Sequence, residues 1–434
     1  MLSHQARIGR ALTVLGLVGL ILLGSTGAVA RRSARAVVNI VVWQQFGAGH
    51  EQQAYTKFVN EFNGTHPGIH VSVLPVLENT KIVAAISGGN PPDVVNFGGS
   101  QNLGQYTHQG LLQPLDSYIT ASHMDINAFV PAGWNAVTIY GKRWAVPFVN
   151  FNWGLLYNAT EFRQAGITRP PRTLEELDQD AAKLTIVKNG RIVRMGFIPN
   201  YPEPGLTLED YAWLYGGDWF TGNKSTAASA ANVQALQWET SYYKKYGATN
   251  LTRFVAGFGQ SLTAADGFES GKVAMIYDGE WNIAFARENV PSMQVGAAPF
   301  PAPRAQAGRT GTSYLDTNPL TIPTGASHPK EAFTFIQWLA TNPAVSSAFA
   351  TLVINLPQLK RVPQTPLFMD PRFQVFIREA SGPNAHAWPQ NPVVAQFTTN
   401  ANTAEAAALQ GTKTPRQSLL DLQTTTQQEL DSTH

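Results

Sequence analysis

The chain has 434 residues, enough for two or three domains at roughly 100–200 residues each. Hydrophobic residues make up 44% and exclude a globally disordered chain, while charged residues reach only 14%, against about 25% in an average protein. Lys and Arg total 31 against 29 Asp and Glu, a net charge of +2, which excludes the broad basic surface of a nucleic-acid binder. Cysteine is absent, so disulfides, zinc–thiolate sites, iron–sulfur clusters and thiol catalysis are excluded together.

Residues 1–30 read as a secretory signal peptide. Arg7 and Arg10 form a basic start, residues 11–24 an uncharged and mostly apolar run, and Ala28-Val29-Ala30 a small-x-small cleavage site. The run is short for a stable membrane span. Retention of this segment as an uncleaved anchor is the alternative. Leu22-Leu23-Gly24-Ser25 has the shape of a lipoprotein box with Ser25 where the lipidated thiol would stand. Thioether lipidation is therefore not expected. The expected location is extracellular or periplasmic.

Strand and helix signals alternate from there. Residues 37–43 (VVNIVVW) are a β-branched run typical of a buried strand. Residues 51–62 place Ala54, Phe58, Val59 and Phe62 on one helical face. His66-Pro67-Gly68 is a turn, and residues 69–74 are the next strand. A helix over 81–87 is broken at 88–92, and a third strand covers 93–97. This βαβαβ order predicts a mostly parallel sheet covered by helices. Thr173 to Glu176 form a capping box for a helix ending at Leu184. A helix opens at Ser327-His328-Pro329 and ends at Asn342-Pro343. Thr414-Pro415-Arg416-Gln417 starts the last helix, and the tail TTTQQELDSTH is expected to fray.

Enzyme signatures are missing. The sequence contains no GxGxxG after a strand, no GxxxxGK[ST], no HExxH and no GxSxG. The nine histidines are scattered, and His66, His108 and His123 have no partner at ligand spacing. Glu203, Glu209 and Asp210 could be read as a glycosidase carboxyl pair, but no spacing sets two carboxylates face to face.

Five segments, in order, carry a resemblance: residues 38–71, 88–119, 141–177, 268–284 and 320–343. They include VNIVVWQQF, GGNPPDVVNFGGSQNLGQY, GKRWAVPFVNFNWGLLYN, FESGKVAMIYDGEWNIA and LTIPTGASHPKEAFTFIQWL. Together they resemble the extracellular solute-binding proteins of bacterial ABC sugar importers, the maltose/trehalose-type group. The resemblance implies an α/β periplasmic-binding-protein fold. It has two lobes, three interlobe crossings and a ligand cleft between them. It implies no catalysis, no catalytic residue, no cofactor and no metal. The partners it implies are a small-molecule carbohydrate and the transmembrane permease subunits of an ABC importer, with the binding protein a monomer.

A sugar ring offers apolar C–H faces and a rim of hydroxyls, so it calls for aromatic plates and short polar side chains. Strand ends in α/β lobes aim such groups into the crevice. Trp43 and Phe46 follow the first strand; Phe97, Ser100 and Gln101 follow the third. In maltose-binding members the equivalents of the latter three resemble an aromatic, an acid and an arginine. The Ser and Gln here speak against a maltose-like hydroxyl network. By the same resemblance Phe151 falls where an acidic ligand residue stands, with Asn150 and Asn152 beside it. Asp278-Gly279-Glu280-Trp281 matches the family's G-x-W, whose Trp stacks on the sugar, and Trp388 falls where another aromatic or an Arg is frequent. The same likeness makes Thr207 and residues 210–213 a ligand-lining stretch. Asp93 and Asn158 are expected to face backbone at turns.

The expected division is residues 37–147 with 303–355 for one lobe, and 149–299 with 358–434 for the other. Proline-rich crossings would then lie near 147, 299–303 and 355–357. The expected function is capture of a neutral di- or oligosaccharide by hinge closure. One alternative ligand is glycerol-3-phosphate or a glycerophosphodiester. An anion requires Arg, Lys or several N–H donors, and none of the residues singled out for the cleft is a Lys or Arg, with Lys142 and Arg143 just ahead of the expected first crossing. A secreted glycan-active enzyme is the rival from another class.

Overall fold

The computed structural model describes residues 36–47, 49–202 and 207–433. The expected signal peptide, the Leu22–Ser25 box and Glu203 lie outside the described residues. Among the described residues no helix is long and apolar enough to cross a membrane.

The first strand, Val38–Gln44, buries Ile40 and Val42 on one face, as its β-branched run requires. Strand Ile69–Pro75 runs parallel on one side of it and Val94–Asn96 parallel on the other. Helix Gly49–Thr65 closes one face with Ala54, Tyr55, Phe58, Val59 and Phe62 buried, which are the expected apolar positions with Tyr55 added. Asp93 accepts backbone N–H groups from Val41 and His328, and Asn158 caps the helix Ala159–Gln164. Both have the turn-stabilising roles expected of them.

Beyond these three strands the expected parallel order fails. The sheet continues through Ser313–Thr321, Val146–Asn158, Val273–Gly279, Arg191–Phe197 and Ile186–Lys188. The first two of these pair antiparallel with their neighbours. The reason lies in the 13-residue strand Val146–Asn158. Its first half, Val146 to Asn152, pairs with Ser313–Thr321. Its second half, Trp153 to Tyr157, pairs with Val273–Gly279. One strand thus belongs to both lobes, and a chain that returns along it must run the other way.

The first crossing is this strand, which contains Pro147. The second falls later than the proline cluster suggests. Residues 299–312 stay against the second lobe: Leu174 N–H bonds Ala302, Arg304 N–H bonds the Glu175 carboxylate, and the Arg309 guanidinium bonds the Trp213 carbonyl. The chain changes lobe along Ser313–Thr321. Pro147 stands opposite Pro319 with a register shift beside them. Neither proline has an N–H to donate, so the ladder is thinned where the lobes meet. The third crossing is the short strand Leu356–Pro357, paired with Asn150 and Val149.

Two helix expectations change. Asn342-Pro343 ends one helix, Pro329–Thr341, and also starts another, Pro343–Val353, because the Asn342 side chain accepts the N–H groups of Ala344 and Val345. The tail does not fray: helix Pro415–Asp431 buries Leu419, Leu422, Thr426 and Leu430. Gln423 and Gln427 side chains also accept the N–H groups of Ala228 and Ser225. Tertiary packing holds a segment whose composition alone is weakly helical.

Candidate ligand cleft

A cleft of about 400 Å³ opens where the strands of the two lobes end. Gln45 and Phe46 reach it from the first strand, Gly98 and Gln101 from the third, and Trp281 from the end of Val273–Gly279. The crossings supply Phe151, Trp153, Asn318 and Asn355. Its size suits one small organic ligand.

Three aromatic rings form one wall. Trp153 meets Trp281 edge-on, with centroids 5.3 Å apart and planes at 87°. Phe151 meets Trp281 at 5.9 Å and 72°, and Trp153 at 5.6 Å and 68°. Edge-to-face contacts hold each ring without covering every face. Trp281 is only partly buried, unlike Trp153 and Phe151. Its ring folds back over Gly279, where an added Cβ would stand 2.2 Å from ring carbons. Only glycine permits that fold-back, which is the physical content of the G-x-W pattern.

The remaining wall is rich in amides. Asn318 donates to the carbonyls of Phe97 and Gly98. Gln45 is satisfied within the protein: its oxygen accepts the Gly98 N–H at 2.8 Å and its nitrogen donates to Leu77 O and Asn79 Oδ1. It partitions the cleft from an adjoining 240 Å³ cavity that contains Phe97, Tyr106 and Asn102. Glu51 is the one acid on the cleft lining, and no Lys or Arg lines either cavity among the described residues.

Of the twelve residues singled out from the sequence, Phe46, Gln101, Phe151 and Trp281 meet in the cleft. Phe97 lines the adjoining cavity, tilted against Tyr106 with centroids 5.3 Å apart, and Gly279 lies under Trp281. The other six stand behind or away from the lining. Trp43 sits within the first strand, between Leu74 and Val95 of its neighbours. Ser100 is buried, and its N–H bonds the Asp316 carboxylate. Burial pushes Asp316 up to about 6. Asn150 is buried in the long strand opposite Thr317 and Leu356. Asn152 donates to Ser313 Oγ and Phe376 O. Asp278 is buried and accepts the N–H of Gly279. Trp388 is 1% exposed, enclosed by Trp213, Tyr314 and Phe397 at 6.2–6.3 Å. Lys142 is exposed in a short hairpin, and Arg143 pairs with Asp116 at 3.1 Å.

Trp153, absent from the sequence expectations, carries a local signal: it lies two residues from Phe151, on the same face of one strand. Asn318 and Asn355 had no local signal, since crossings bring them in from distant sequence. Among the described residues no group of three or more His, Asp or Glu is placed to hold a metal ion.

Two α/β lobes, joined by shared strands and flanking an aromatic-and-amide cleft, define a solute-binding protein. Residues 48–346 match the family model described as bacterial extracellular solute-binding protein, and the chain belongs to that family. Its structure is similar to that of CpMnBP1 with mannotriose bound, with a TM-score of 0.80 and 33% identity over 90% of this chain and 100% of that one. Among curated relatives, the maltotriose-binding protein of Pyrococcus abyssi is 22% identical over 75% of this chain and 68% of its own length. The multiple sugar-binding protein of Streptococcus mutans is 22% identical over 77% and 80%.

Proposed function

We propose that this protein captures a neutral di- or oligosaccharide in the interlobe cleft and delivers it, as an exported monomer, to the permease of an ABC importer. The observation that carries the reading is the Phe151–Trp153–Trp281 wall facing amides, in a cleft that no cation lines among the described residues. Rings match the C–H faces of a sugar and amides match its hydroxyls. A phosphate would require cationic donors that the lining lacks. In this reading Trp281 is the main stacking surface, supported by Phe151, Trp153 and Phe46. Gln101, Asn318 and Asn355 take hydroxyls. Phe97 extends the site, and Gly279 seats Trp281. Trp43, Ser100, Asn150, Asn152, Asp278 and Trp388 act behind the lining. Bound mannotriose in a relative at 33% identity supports a sugar as ligand. The lobes, meeting at strands thinned by Pro147 and Pro319, close on the ligand because only the closed form engages it from both sides. Catalysis is no part of the proposal.

Thermal melts with mannobiose, mannotriose, maltotriose and glycerol-3-phosphate test it. Ligand at 100 times its dissociation constant adds about 2.7 kcal/mol, so at least one neutral sugar should raise the melting temperature and remain intact after prolonged incubation. A shift with glycerol-3-phosphate alone, or cleavage of the sugar, overturns the reading.

A further inference from the structure

Glu280 stands between the glycine that seats Trp281 and Trp281 itself, and it is wholly buried. Its two oxygens serve two crossings. Oε2 accepts the backbone N–H of Asn152 on the long strand at 3.2 Å. Oε1 accepts Nδ2 of Asn355 at 3.1 Å. Asn355 precedes the third crossing and lines the cleft. Its backbone N–H is tied to Ala350 O, which holds the residue in place and leaves the carboxamide as the part that can turn.

A carboxylate can only accept, so an ionised Glu280 takes the Asn355 N–H₂ and leaves Oδ1 for the cleft. A protonated carboxyl donates its own hydrogen. Asn355 then accepts with Oδ1 and presents N–H₂ to the cleft, while the other Glu280 oxygen keeps the Asn152 N–H. We propose that Glu280 is a positioning residue whose proton decides whether Asn355 meets the ligand as a hydrogen-bond acceptor or donor. The proposal rests on the reading of this cleft as the sugar site.

Burial pushes Glu280 up to about 8, opposed by the bonds from Asn355 and Asn152, so both forms are populated near neutral and mildly alkaline pH. The titratable groups on the elements around it are Tyr277 and Asp278 on the strand before it, Arg287 and Glu288 on the helix after it, Tyr157 at the far end of the long strand, Tyr314 and Asp316 on the return strand, Glu379 against Gly154, and Glu51 on the cleft lining. Helix Pro343–Val353, from which Asn355 follows, carries none.

The test is calorimetric titration of the whole protein and of Glu280→Gln with mannotriose and maltotriose from pH 6 to 9. The glutamine amide donates as the protonated acid does, so the variant is fixed in the low-pH arrangement. Wild-type affinity should change about 2- to 10-fold across this range, the worth of one hydrogen bond. The variant should stay flat at the wild-type value of pH 6. Parallel profiles in the two proteins, or a flat wild-type profile, overturn the proposal alone. Absence of binding by either sugar fails the sugar reading and the proposal with it. Ligand-free melts give a second check. The folded value lies above that of an unfolded glutamate, so its stabilising contribution is present at low pH and is lost as pH rises through about 8. The wild type should therefore lose stability relative to the variant between pH 6 and 9, and a constant gap overturns the proposal.

Discussion

Trp281 and Trp388 invite comparison because the sequence offers both as ligand-facing tryptophans, and the fold treats them in opposite ways. Trp281 touches Phe151 and Trp153 by ring edges and keeps part of its surface open at the cleft. Trp388 is enclosed by Trp213, Tyr314 and Phe397 and keeps 1% of its surface. Residue type is the same; what differs is how many neighbours close over the ring. A stacking surface is an aromatic that the core has left unfinished on one side.

The sharpest way to break this comparison is to truncate both rings. Trp388→Ala should cost about 3–5 kcal/mol of folding stability, as for other large-to-small changes in a packed core. Chemical denaturation measures it, and unchanged stability with lost sugar affinity would move Trp388 into the site. Trp281→Ala should do the reverse. Its binding cost is on the order of 2–4 kcal/mol, or about 30- to 1000-fold in affinity. The ligand-free melt should barely move. Loss of affinity explained by unfolding would return Trp281 to the core.

The contact just past Trp388 sharpens the picture of closure. Gln390 accepts the Gly104 N–H at 2.9 Å and donates to the Ser100 carbonyl at 3.0 Å, bridging the two lobes. A Cβ on Gly104 would stand 2.6 Å from the backbone nitrogen of Asn391. Gly104→Ala should therefore wedge the lobes apart. The strain is about 1–3 kcal/mol, as for overpacking elsewhere. Small-angle scattering with mannotriose should show less compaction than in wild type. Equal compaction would mean that this contact plays no part in closure.

The smallest expected effect concerns charge, where the second lobe again differs from the cleft. Glu209, Glu239 and Glu405 come together between helices Thr207–Leu214, Ala230–Tyr246 and Val394–Leu409. Burial, then repulsion from Glu405, pushes Glu209 up to about 8 and Glu239 well above the usual carboxylate range. Both folded values exceed the unfolded one, so their stabilising contribution is present in acid. For Glu209 it is lost as pH rises from about 4.5 through 8. Stability should fall along that course, and Glu209→Gln should make the fall shallower by on the order of 1 kcal/mol per pH unit. Denaturation midpoints from pH 5 to 9 measure the slope; identical slopes would show that Glu209 does not titrate there.

Much of the local structure was legible. The strand at Val38–Gln44, the face of helix Gly49–Thr65 and the caps at Thr173 and Thr414 follow from short-range rules, because β-branching, apolar spacing and capping act within a few residues. The crossings were half legible. Prolines mark the neighbourhood, yet the chain changes lobe inside two long strands whose pairing no local pattern encodes. The tail looked too polar to order, but contacts with helices Ala230–Tyr246 and Val394–Leu409 hold it.

By itself the sequence determined the family, the order of strands and helices in the first lobe, and the pattern that seats Trp281 over Gly279. These depend on segments that are contiguous in the chain. Only the tertiary structure decided which aromatics keep an open face, that Asn318 and Asn355 reach the cleft, and that Gln390 bonds Ser100 from 290 residues away. Burial of a side chain is set by whatever packs upon it. In a fold whose central strands serve two lobes, those neighbours come from opposite ends of the chain.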